Sequence, residues 1–154
     1  MSRFLRAALV ASVVVGSATR IPAQAPNPLV GKWSIEYERG RRMENGEATP
    51  IMGTGQVTFT QAGDSLMATL QAAPRPDGTT PPPTSFGGKM TAEGAQFVQE
   101  QVAQVNVNGE VRDQKITLNW TFKASGDVLT GTLKRDLPMM GPTPPSPVKG
   151  TRVK

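Results

Sequence analysis

The chain has 154 residues, with 17 Lys and Arg against 12 Asp and Glu, and it contains neither Cys nor His. That excludes a disulfide-stapled domain, a Ser-His-Asp triad, a thiolate nucleophile and the ordinary zinc and haem ligand sets. Three of the basic residues, Arg3, Arg6 and Arg20, lie in the first 23 positions with no acid beside them, which leaves 14 against 12, a net charge of +2, for the rest. With no aromatic ladder between scattered basic residues, nucleic acid is not an expected partner, and Arg39, Arg41 and Arg42 read first as a solvated cluster and only second as a contact for an anion or a membrane surface.

Residues 1–23 have the form of a signal peptide. Arg3 and Arg6 precede a short apolar run from Ala7 to Val15, followed by small residues and Ile21-Pro22-Ala23-Gln24-Ala25-Pro26. The run falls short of the ~20 apolar residues a membrane-spanning helix needs. Cleavage after Ala23 or after Ala25 fits the small-residue pattern, and Pro26 disfavours the second. Without Cys no lipid anchor follows. The expectation is a periplasmic or secreted protein with no membrane anchor, a monomer, whose residues 24–154 form one domain.

In that domain apolar residues recur every second position, and Gly and Pro interrupt at short intervals, so strands are expected throughout. The first runs from Leu29 to Arg39, with Trp33, Ile35 and Tyr37 on one face and Ser34, Glu36 and Glu38 on the other. Residues 40–54 read as a polar loop or ragged hairpin around Asn45-Gly46. Gln56–Gln61 and Leu66–Gln71 form a hairpin about Gly63-Asp64. Residues 73–85 are a Pro-rich exposed loop carrying Pro81-Pro82-Pro83, since proline lacks the donor a central strand needs. Gly88–Ala92 and Gln96–Gln101 are short strands joined at Glu93-Gly94. Val102–Val107 continues, turns at Asn108-Gly109 and returns from Val111. Ile116, Leu118, Trp120 and Phe122 form the most apolar face, and a hairpin about Gly126-Asp127 follows. Residues 138–147 are a second Pro-rich loop with Met139 and Met140, and Val148–Lys154 is the last strand.

Two of these segments repeat. Residues 58–70 align without a gap on residues 121–133, with seven of thirteen positions identical, including Phe59 and Phe122, Gly63-Asp64 and Gly126-Asp127, and the following Leu residues. One hairpin cannot bury its own apolar face, so repeated hairpins imply a larger sheet. The predicted fold class is all-β, a single antiparallel up-and-down β-barrel of about eight to ten strands, closed so that no edge strand invites aggregation.

Gly31-Lys32-Trp33 at the start and Gly150-Thr151-Arg152 at the end resemble the first and last strands of calycin-type barrels, the lipocalin group. The Gly-Asp turns and Leu129-Thr130-Gly131-Thr132 resemble uncharacterised secreted bacterial β-barrel proteins. The resemblance implies that Arg152 packs across the Trp33 indole and closes one barrel end. The chain departs from lipocalins in having no disulfide and two long Pro-rich loops. Gly31, Trp33 and Arg152 are thus expected structural residues, as are Gly63, Asp64, Gly126 and Asp127 in the turns.

No catalytic residue, metal site or cofactor is expected. Glu36 and Glu38 should face solvent, opposite Trp33, and Asp64 and Asp127 belong to turns. Gly87-Gly88 is too short for a phosphate-binding loop. Met43, Met52, Met139 and Met140 lack the Met-x-x-Met spacing of a copper site and suit gap-filling or an apolar lid. The candidate ligand-binding residues are the inward aromatics Trp33, Tyr37, Phe59, Phe97, Trp120 and Phe122. Two readings stay open: small inward residues such as Ala68 and Gly131 leave a cavity for one small apolar or amphipathic ligand, gated by loops 40–54, 73–85 and 138–147, or the aromatics fill the barrel, leaving a structural or protein-interaction module.

Overall fold

A computed structural model of the chain describes residues 25–107, 110–138 and 141–154; the leader, Asn108-Gly109 and Met139-Met140 lie outside them. The described residues contain β-strands and no helix: β1 (Gly31–Glu44), β2 (Glu47–Ala62), β3 (Ser65–Ala72), β4 (Thr84–Thr91), β5 (Gly94–Val107), β6 (Glu110–Ser125), β7 (Val128–Leu137), β8 (Gly141–Pro142) and β9 (Ser146–Arg152). Each long strand pairs antiparallel with its sequence neighbour, β7 pairs with β9, and β9 returns to β1. The result is a closed eight-stranded up-and-down barrel, as the repeated hairpins lead one to expect. The two-residue β8 is an appendage on the end of β7.

The interior follows the alternation read from the sequence. Trp33, Ile35 and Tyr37 of β1 and Ile116, Leu118, Trp120 and Phe122 of β6 are all buried. Cross-strand register places a glycine or alanine opposite most inward rings. Phe59 faces Gly31 and Ala68, Tyr37 faces Gly53, Phe86 faces Ala68, Phe97 faces Gly88, and Phe122 faces Gly131 and Ala95. A Cβ on Gly88 would run into the Phe97 ring, and one on Gly131 into the Thr121 carbonyl and the Phe122 ring. At Ala68 and Gly131 this corrects the expectation that small inward residues leave space for a ligand. They leave space for the rings of neighbouring strands, the large-beside-small arrangement that packs an eight-stranded interior.

The turns divide the barrel into two unlike ends. At one, Gly63-Asp64 and Gly126-Asp127 close two-residue hairpins, with the glycine at φ 60° and 59° in the first turn position. Positive φ there and only there is the type II′ geometry, whose twist matches the strands. At the other end the chain rises well past the barrel wall. β1 and β2 stay paired to Glu44↔Glu47, where Asn45 and Gly46 both take positive φ, the type I′ turn. Of the two expectations for residues 40–54, a polar loop or a ragged hairpin about Asn45-Gly46, the hairpin holds, and it is regularly paired because that turn lets pairing run to its last residue. Beyond Glu36 of β1 and Gly55 of β2 the pair has no further neighbours in the sheet, so it forms a two-stranded ribbon. β5 and β6 form a second ribbon beyond Gln101 and Ile116, on the opposite side of the barrel. The two Pro-rich connections lie between the ribbons.

Strand boundaries near those connections also differ from expectation. β4 starts at Thr84, inside the segment read as a Pro-rich loop, whereas Gly94–Val107 is one strand, Val102–Val107 continuing Gln96–Gln101 as expected. β9 starts at Ser146 and includes Pro147, placed in a loop by the sequence reading. Pro147 is tolerated because β9 has only β7 beside it at that level: the β1–β9 ladder begins at Lys149.

Candidate functional site

The end with the short turns is shut. The segment before β1 passes beneath the barrel, with Leu29 buried and its amide held by Asn27 Oδ1 at 3.0 Å. The Trp33 indole N–H donates to the Leu29 carbonyl at 2.8 Å. The Arg152 guanidinium lies 4.2 Å from the Trp33 ring centroid, donates to the carbonyls of Val30 and Pro28 at 3.0 and 2.6 Å, and pairs with Asp127 at 3.5 Å. A Cβ on Gly31 would meet Arg152 Nη1 at 2.8 Å, so the glycine makes room for this staple.

Above it stands an aromatic floor. Phe59, Phe97 and Phe122 have centroids 5.0–5.8 Å apart, mostly edge to face. Trp120 stacks on Phe122 at 5.7 Å and on Phe86 at 6.0 Å, and takes the edge of Tyr37 at 5.5 Å. The floor leaves no room for a ligand.

A cavity of about 380 Å³ opens over it, towards the ribbons and Pro-rich connections. This lies in the size range of small-molecule sites. Its apolar wall comes from Tyr37, Leu70, Leu118, Trp120 and Leu133, and Pro81 and Pro82 of the first Pro-rich connection cover one side. That connection is held in place: the Gln71 amide donates to the Pro81 carbonyl at 2.8 Å, Ala73 N–H to Thr54 at 2.9 Å, and Arg75 N–H to Thr79 at 2.8 Å. Asp77 accepts from the Thr79 N–H and hydroxyl at 2.9 and 2.6 Å; these bonds hold its carboxyl below the usual range.

The polar lining is one-sided. Arg39, Arg75 and Arg135 line the cavity with Gln99 and Gln101, and no Asp or Glu is among its lining residues. Arg39 is the extra residue of a β-bulge, where the register of β1 on β2 shifts between Glu38 and Gly40. Its stem lies over Gly53, where a Cβ would come within 2.9 Å of it. Arg39 and Arg75 also border a shallow outer groove that contains Glu36.

Glu38 is only 4% exposed, which corrects the expectation that it faces solvent. β9 has left β1 by that level, and the carboxylate sits in the opened seam. Arg41 binds it at 2.8 Å and Arg135 at 3.2 Å, and Arg135 also donates to the Glu38 carbonyl. Burial pulls the Arg135 guanidinium below its ordinary value, with Glu38 acting in the opposite sense. Burial likewise pushes the Tyr37 phenol up, partly offset by Arg39 and Arg135, so it remains a neutral donor at ordinary pH.

Of the six aromatics expected to bind a ligand, the structure places Tyr37 and Trp120 on the cavity wall; Phe59, Phe97 and Phe122 lie in the floor and Trp33 in the staple. The candidate ligand-binding residues read from the sequence did not include Phe86, Gln99 or the three arginines. Arg135 continues the inward alternation of Leu129 and Leu133 and could have been found that way. Arg39 looked like part of a solvated cluster, and nothing local distinguishes Arg75. Among the described residues no group of three His, Cys, Asp or Glu is placed to hold a metal, and no helix is long and apolar enough to cross a membrane.

No family model matches the chain, and no curated protein matches it. Among solved structures it is similar to one described as the monomer form of the M. tuberculosis PknI sensor domain, with a TM-score of 0.50 and 16% sequence identity over 84% of this chain and 90% of that one. At that identity the likeness is one of fold: both chains build this antiparallel barrel.

Proposed function

We propose that the protein is an exported, non-catalytic binding module that holds one small amphipathic molecule at the open end of its barrel. The carrying observation is the cavity of about 380 Å³, walled by Tyr37, Leu70, Leu118, Trp120 and Leu133 above a floor that is already packed. Apolar walls with a few convergent polar groups are what small-molecule sites require. Among the described residues Glu38 is the one buried carboxylate, and two guanidiniums occupy it, so it is not free to act as a general base in the cavity. Export is supported by the form of residues 1–23. The Trp33–Arg152 contact supports kinship with calycin-type barrels, and likeness to a sensor domain suits a domain that reads out a ligand.

Native mass spectrometry of the protein from a secreting bacterial host, purified without detergent, tests this. The expected result is a discrete extra mass that denaturation releases. Ala72 lines the cavity away from the floor. Ala72→Phe should therefore remove the extra mass while leaving the melting temperature within a few degrees. A bare polypeptide mass that persists after incubation with lipids and apolar metabolites would overturn the proposal.

A further inference from the structure

We infer that the ligand is an amphipathic anion, whose oxyanion head is held by Arg39 and Arg75 at the cavity rim while its apolar body lies against Trp120 and the leucines. This rests on the binding reading above and specifies the ligand's chemistry.

The lining residues supply donors of hydrogen bonds and no anionic acceptor. Three arginines reach the cavity and no carboxylate does. Gln99, 6% exposed, adds to this through its orientation. The Trp120 indole N–H can only donate, and it meets Gln99 Oε1 at 3.1 Å. The amide oxygen is thereby turned to the indole, which leaves the NH₂ as the end of Gln99 without a protein partner, among the described residues, at the cavity. The neutral Tyr37 phenol offers another O–H.

The arginines differ in how far they are committed. Arg135 is bound to Glu38 through both side chain and carbonyl, so it supports the seam. Arg39 and Arg75 make no ion pair among the described residues, and the nearby Asp77 carboxylate is engaged by Thr79. Each is also aimed by the backbone. The bulge and Gly53 direct Arg39, and the turn closed by the Arg75 N–H to Thr79 bond directs Arg75. Guanidinium is the group best matched to a carboxylate or phosphate, by its fork of N–H donors. A cation in this cavity would meet only like charge, and a neutral alcohol would leave the arginine donors unmatched.

The test measures binding of four probes with one alkyl chain, decanoate, decyl phosphate, decanol and decylamine, by calorimetry below their aggregation limits. The expected result is that at least one anion binds about tenfold or more tighter than decanol and decylamine, the ratio one charge-assisted hydrogen bond supplies. The order of decanoate and decyl phosphate then distinguishes a carboxylate from a phosphate head. In the folded double variant Arg39→Gln, Arg75→Gln, the preference for the anion over decanol should fall about tenfold. Arg135 is left intact because its loss would strand Glu38. Decanol binding as tightly as both anions in the native protein would overturn the anion inference while leaving the binding function standing. An anion preference that survives the double variant would overturn the assignment to Arg39 and Arg75. Failure of all four probes to bind would count against the binding function itself.

Discussion

Single residues in this barrel matter chiefly through their partner on the next strand. Phe97 can lie flat because its partner is Gly88, and Phe122 because its partners are Gly131 and Ala95. Tyr37 is a further case: it pairs with Gly53 across the ladder, packs edge to face with Trp120, and burial raises its pKa. It is the single tyrosine of the chain, so its ionisation can be followed without interference. As pH rises past the ordinary tyrosine value of about 10, the unfolded chain loses this proton while the folded chain keeps it. The folded state is then the richer in protons, and this residue's contribution to stability, complete below that pH, is lost as pH climbs to the folded pKa. Tyrosinate absorbance should appear at higher pH in native protein than in the same protein in urea. Coincident curves would contradict the burial described here.

The two kinds of turn belong to elements with different duties. Gly63-Asp64 and Gly126-Asp127 end hairpins whose strands are paired on both sides, whereas Asn45-Gly46 ends a ribbon whose tip, among the described residues, pairs only within itself. Ala at either type of glycine meets positive φ and costs roughly 1 kcal/mol. At Gly126 that cost falls on the cooperative barrel, and a global loss of about 1 kcal/mol in denaturant unfolding is expected. At Gly46 the ribbon tip can melt by itself, so global stability should stay within about 0.5 kcal/mol while amide exchange rises for residues 41–50. Equal global losses at both sites would show that the ribbon folds as part of the barrel.

At the scale of the molecule, one seam closes the barrel and an arginine at each end holds it. β9 joins β7 to β1, and its pairing with β1 covers only Trp33–Glu36. Arg152 reinforces this short ladder through two carbonyls, one carboxylate and the Trp33 face. Arg152→Ala should lower stability by roughly 1–3 kcal/mol, the sum of a cation–π contact and hydrogen bonds of the charged kind. Arg152→Lys should recover only part, because an ammonium has no planar fork to reach Pro28 and Val30 together. Full recovery by Lys, read from denaturant midpoints, would reduce the staple to charge alone. At the opposite end of the seam Arg135 bridges to Glu38 where β1 and β9 have separated. The barrel is thus tied at both ends of its closing strand, by two half-buried arginines.

What the sequence by itself determined is local: alternation set which face of each strand turns inward, the Gly-Asp and Asn-Gly pairs set the hairpins, and the repeat implied enough of them to close a sheet. Those are properties of neighbouring residues, which period and turn chemistry record directly. The ends that meet, Gly31-Lys32-Trp33 and Gly150-Thr151-Arg152, were legible through their resemblance to a barrel family. What only the tertiary structure decided is what each inward position faces across the barrel. Whether Gly131 opens a void or receives Phe122, whether Glu38 meets water or two guanidiniums, and whether Arg39 and Arg75 share a rim depend on register, on one bulge, and on the height at which β9 leaves β1. Contacts between residues dozens of positions apart are fixed by closure of the sheet, and closure leaves no mark in the pattern of any one strand.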